Sequence, residues 1–138
     1  LSYWLNMNVV YPHVLKHWSS ITKQISTYIV TNKNYNSVRI ILDYFKLDFN
    51  KDNIISKERT GSKAETLIAL AKHHKIEHEN VIFIDDNSQY ILEILDLGIK
   101  AYLANWGYEK YIKKSDVIEG KYLINEFGDI AQIINEND

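Results

Sequence analysis

The sequence predicts an α/β fold, a parallel sheet with helices on both faces. Three observations carry that expectation. Short β-branched and aromatic runs alternate with longer segments of helical periodicity. One run, Val81–Ile84, is continuously apolar, as a strand covered on both faces is. Residues suited to holding ions gather where runs end and helices begin, which is where open α/β sheets do their chemistry.

The elements follow in order. Pro12 suits the first position of a helix, where its missing N–H costs nothing. Val14, Trp18, Ile21 and Ile25 give that helix an apolar face. Thr27–Val30 (TYIV) reads as a strand ending at Thr31-Asn32-Lys33. Val38, Ile41, Leu42 and Phe45 recur at i, i+3, i+4 and i+7 and predict a second helix. Asn53–Ser56 (NIIS) reads as a short strand, and Gly61 breaks the chain. Ser62 and Glu65 have the S-x-x-E spacing of a capping box, with Ala64, Leu67, Ile68 and Ala71 as the buried face behind it. Val81–Asp85 is the next strand candidate. Ile91, Ile94 and Leu95 mark a fourth helix closed by Gly98, and Ile99–Leu103 (IKAYL) another strand. Leu123, Phe127, Ile130, Ala131 and Ile134 predict a last amphipathic helix starting near Leu123.

Composition narrows the function. The 138 residues suit one domain with a real core, and 46% apolar with 25% charged residues is an ordinary globular balance. A net charge of −2 gives no electrostatic case for nucleic acid or an acidic membrane surface. With no cysteine, disulfides and thiolate metal sites are excluded. No apolar run approaches a membrane span and no signal peptide is visible, so the expected setting is cytoplasmic.

Three junctions carry chemistry-bearing residues. At Thr31-Asn32, a hydroxyl and backbone N–H groups at a helix entrance suit an anion, or make an ordinary strand-to-helix turn. Lys63 sits in the first turn of its helix, where a cation opposes the helix dipole. It is either a solvated surface lysine or a charge aimed at something negative. Asp85-Asp86 closes the apolar strand. An Asx turn or helix cap accounts for one acid, and a hard divalent cation accounts for two.

In order and spacing, YIVTNK (Tyr28–Lys33), RTGSKAETL (Arg59–Leu67) and VIFIDDN (Val81–Asn87) resemble motifs II, III and IV of the haloacid dehalogenase-like hydrolases. The flanking YPHVLKHW and DLGIKAYLANWGY resemble phosphoglycolate phosphatase-like members, so the likeness spans roughly Tyr11–Ile134. The resemblance implies a Rossmann-like core and phosphomonoester hydrolysis through an aspartyl-phosphate, with Mg2+ as cofactor and a small phosphorylated metabolite as substrate. It implies that Thr31 and the Asn32 N–H bind the phosphoryl group. Lys63 balances its charge, Asp86 ligates magnesium and Asp85 supports it.

The sequence departs from the family pattern twice. Tyr90 stands about four residues after Asp86, where a second acid or amide is usual, and Asn87 is the nearest substitute through water. No D-x-D motif I precedes Thr31; Asn6-Met7-Asn8 has the spacing with amides for acids. Residues 1–10 are therefore expected to be the trailing edge of a cap or a degenerate motif I, and 11–138 the core. The core would lack its N-terminal central strand and cap, and the 138 residues alone would not turn over. The alternative is a non-catalytic phosphate- or metal-binding relative. A receiver-like or nucleotide-binding domain is a third class. Receivers place their acids before the Thr and Lys, and no glycine-rich phosphate loop is present. The pairs His13/His17 and His74/His78 read as helix-surface histidines, Trp106 as a packing or pocket residue, and Lys110, Lys113 and Lys114 as a solvated face.

Overall fold

A computed structural model describes residues 12–58, 61–104 and 123–136. Asn6-Met7-Asn8, the expected 1–10 segment, Trp106 and Lys110, Lys113 and Lys114 lie outside the described residues. In chain order the elements are α1 (Pro12–Gln24), β1 (Ile29–Val30), α2 (Tyr35–Tyr44), β2 (Ile54–Ile55) and α3 (Lys63–His74). They continue with β3 (Ile82–Asp85), α4 (Ser88–Leu95), β4 (Lys100–Ala104), β5 (Leu123–Ile124) and α5 (Asp129–Glu136). The chain forms two compact units, one ending at Gly61 and the next starting at Ser62.

In the first unit β1 and β2 pair in parallel, Ile29 opposite Ile54 and Val30 opposite Ile55. Asn34 caps α2, its side chain accepting from Ser37 N–H at 2.8 Å. An Asn at this position satisfies one of the orphan donors of the first turn. The helical repeat then buries Val38 and Leu42 against Ile54, with Trp18, Ile29, Tyr35, Leu47 and Phe49 around them. Trp18 adds a tilted ring contact to Phe49 and donates from Nε1 to Asp48 O. An indole that packs its ring and finds an acceptor fixes α1 to the loop after α2. Ile21 of α1 is buried, while Ile25 at the end of the expected apolar face is exposed.

In the second unit β4 lies between β3 and β5, all parallel, with Phe83 opposite Ala101 and Leu103 opposite Leu123. The core is Leu67, Phe83, Ile91, Ile94, Ile99, Ala101 and Leu103, drawn from α3, β3, α4, β4 and the residue before β4. Ile91 and Leu103 are wholly excluded from solvent. Gly98 ends the turn after α4 at φ +81°, a left-handed conformation that favours glycine.

The α/β class and the parallel pairing are as the sequence predicts, with β1, β2 and β3 shorter than expected and β4 shifted by one residue. The described strands form two sheets, β1-β2 and β3-β4-β5. At the end of the chain the expectation needs correction. Leu123-Ile124 is a strand and the helix starts at Asp129. Leu123 and Ile124 extend the sheet by pairing with Leu103 and Ala104. The Asp129 carboxylate then accepts from Asn125 and Glu126 N–H, making a turn that precedes the helix. Ile130 and Ile134 are buried as the helical repeat requires. Ile68, expected on the buried face of α3, is exposed, because Leu67 and Ala71 carry that face.

Candidate functional site

The site is built at the carboxyl end of β3. Ser62 caps α3, accepting from Glu65 N–H at 3.1 Å as the capping-box spacing predicts. Its own hydroxyl reaches the Glu65 carboxylate at 3.4 Å. That cap fixes Lys63 as the first residue of α3, and its side chain is buried instead of solvated. Lys63 Nζ donates to Asp85 Oδ2 at 2.7 Å, and each side chain is only 10% exposed. The negative partner that a cation at a helix start demands is thus the last residue of β3.

Asp85 uses both oxygens. Oδ2 takes Lys63, and Oδ1 accepts from Asn87 N–H at 3.0 Å in an Asx turn. Burial pushes the Asp85 carboxyl above its ordinary range, and outweighs the opposing pull of the Lys63 ammonium and the Asn87 N–H. The Asp86 charge alongside adds to the upward shift. So the pair of acids divides in role. Asp85 is the partner of Lys63 and the turn-former, and Asp86 is the adjacent carboxylate at the same strand end. Asn87, weighed above as a substitute ligand, instead caps α4 by accepting from Gln89 N–H at 3.0 Å.

Sequence reasoning gave Tyr90 no role. Its ring face lies 4.4 Å from Lys63 Nζ, a cation–π distance.

Thr31 and Asn32 belong to the first unit. Thr31 continues β1 pairing by donating its N–H to Ile55 O at 2.9 Å, and its hydroxyl accepts from Lys33 N–H at 3.1 Å. Lys57 N–H then donates to Lys33 O, so the loop is pinned on both sides. Glu58 was also missed. It accepts from the Ser56 hydroxyl and from Tyr35 N–H at the start of α2. The Ser56 hydrogen bond, more than any other contact, lowers the Glu58 pKa below its ordinary value. His78 of the His74/His78 pair donates from Nδ1 to Leu97 O at 3.0 Å, which ties the His78–Asn80 turn to the end of α4.

No match is found among curated proteins. The family model described as haloacid dehalogenase-like hydrolase matches residues 6–104, which takes in part of each unit, with the Thr31 loop, Lys63 and the acidic pair. With most of its length in that match, the chain belongs to the haloacid dehalogenase-like hydrolases.

Proposed function

We propose that the chain carries the core of a magnesium-dependent phosphatase. In the intact protein it would hydrolyse a small phosphomonoester through an aspartyl-phosphate, in the manner of phosphoglycolate phosphatase-like members. The observation that supports this best is the buried Lys63–Asp85 pair with Asp86 beside it. One cation among two carboxylates leaves a net negative strand end, which suits a divalent cation. Among the described residues no group of three or more His, Cys, Asp or Glu forms a complete cage. Magnesium does not need one, since it is commonly held by one or two carboxylates and completed by water and substrate phosphate. The donor set therefore fits magnesium, with Asp86 as ligand and Asp85 in support. What favours Asp86 is that both Asp85 oxygens already accept hydrogen bonds. The bound ion would supply positive charge against the phosphoryl oxygens.

The chain's own residues do the rest. Lys63, held by Asp85, sets a fixed ammonium that needs no reorganisation when phosphoryl charge develops. Thr31 and the Asn32 N–H donate to phosphoryl oxygens. The substrate is a small phosphorylated metabolite and the setting cytoplasmic, with neither nucleic acid nor membrane as partner. A second reading, a non-catalytic phosphate- or metal-binding relative, is favoured by one observation. Asn6-Met7-Asn8, at the start of the family match, has the D-x-D spacing with amides for acids.

Calorimetric titration with magnesium tests the site. The wild-type chain should bind, and Asp86→Ala should lose at least about tenfold in affinity, since it removes a charged ligand. Unchanged binding in Asp86→Ala would sink the assignment. Turnover of p-nitrophenyl phosphate by the intact protein separates the phosphatase from the non-catalytic relative.

A further inference from the structure

We propose that Tyr90 is a positioning residue for Lys63, holding its ammonium beside Asp85 through the face of the ring. The significance for anion binding rests on the phosphatase reading above; the positioning itself does not. Lys63 Nζ lies 2.7 Å from the Asp85 carboxylate and 4.4 Å from the Tyr90 ring centroid. Tyr90 comes from the first turn of α4, whose start is fixed by the Asn87 cap. The ring also packs against the core of Leu67, Phe83 and Ile91. It is therefore anchored independently of the lysine and can act as a fixed wall for it.

The chemistry explains why a ring serves here. Lys63 must be held against an unfavourable helix dipole. A carboxylate at position 90 would hold it as well, but would compete with Asp85 for the ammonium. An aromatic face attracts the cation through its quadrupole and carries no net charge. The ammonium has three N–H donors and one is directed at Asp85. A ring holds the group without the competing charge of a second acid.

The test places fluorinated phenylalanines at position 90 of the full chain, beside Tyr90→Phe, Tyr90→Leu and Tyr90→Glu. Fluorination preserves shape and packing while draining the ring face. Two quantities are read: the order parameter of the Lys63 Nζ by 15N relaxation, and the affinity for inorganic phosphate with magnesium saturating. Tyr90→Phe should keep phosphate affinity within about twofold, because the ring face survives. Pentafluorophenylalanine and Tyr90→Leu should disorder the Nζ and weaken phosphate about tenfold. Tyr90→Glu should keep the Nζ ordered, through a direct ion pair in place of the ring. A Nζ equally ordered with tyrosine and with pentafluorophenylalanine would overturn the proposal and leave Tyr90 as packing alone. If the Nζ follows ring electronics but no variant, nor the wild type, binds phosphate, positioning stands and the phosphatase reading falls.

Discussion

Lys63→Met probes the buried pair most directly. Methionine keeps much of the apolar stem and removes the charge. The Asp85 carboxylate, 10% exposed, is then left with the Asn87 N–H. It can stay charged without its cation or take up a proton. Protonation at pH 7 of a group with an ordinary value of 3.8 costs roughly 4.4 kcal/mol, at about 1.36 kcal/mol per pH unit, and this is a ceiling. The wild type already carries part of that cost, because burial raises the Asp85 pKa. The expected loss at pH 7 is thus about 2–4 kcal/mol, near the range for breaking a buried pair. At pH 5 the ceiling drops to roughly 1.6 kcal/mol. The sign follows from the direction of the shift. A raised carboxyl pKa gives stability that is fully present below 3.8 and lost as pH rises through the folded value. The pKa in Lys63→Met is higher still, so its deficit against wild type should widen from pH 5 to pH 7. Urea unfolding in magnesium-free buffer, with m-values compared, measures this. Adding Asp85→Asn should restore most of the loss. An equal deficit at both pH values, or one under about 1 kcal/mol at pH 7, would refute the idea that Lys63 neutralises a buried carboxylate.

Other outcomes are expected nearby. Ser62→Ala should cost about 1 kcal/mol and raise amide exchange in the first turn of α3, since the Glu65 N–H loses its acceptor. Ile91→Ala should cost about 3–4 kcal/mol in urea unfolding, because a wholly buried side chain leaves a cavity. Glu58 should titrate below its ordinary value of 4.5 by NMR, and Ser56→Ala should move it upward. Its depressed pKa means that its contribution is present above 4.5 and fades as pH falls through the lowered value.

Lys63 shows how far the sequence could be read. Its position was legible because Ser62 and Glu65 form a local cap, and a cap is a short-range feature of four residues. Whether it had a negative partner or was a solvated surface lysine stayed open from the residues alone. The acidic pair came into view only through the family resemblance, because Lys63 and Asp85 are separated by 22 positions and meet only after α3 and β3 have packed. The same distance hid Glu58, whose carboxylate reaches Tyr35 N–H across 23 positions. Periodicity served well where one face is buried, as at Val38 with Leu42 and Ile91 with Ile94. It failed at Leu123-Ile124, where two apolar residues fit either period and the Leu103 and Ala104 backbone decided for a strand. It also gave no sign of where α2 and α3 end. Lys46 and Lys75 follow them at φ 55° and 56°, left-handed positions usually marked by glycine. Tyr90 was the hardest to see. The sequence marked it only as a ring where a ligand is usual, and the ring packs against the core. Its second role exists only because the Asp85 turn and the Asn87 cap carry its face to the Lys63 ammonium. The feature that made Tyr90 look like a missing ligand, a neutral ring near two acids, is therefore also what lets those acids and Lys63 share one strand end.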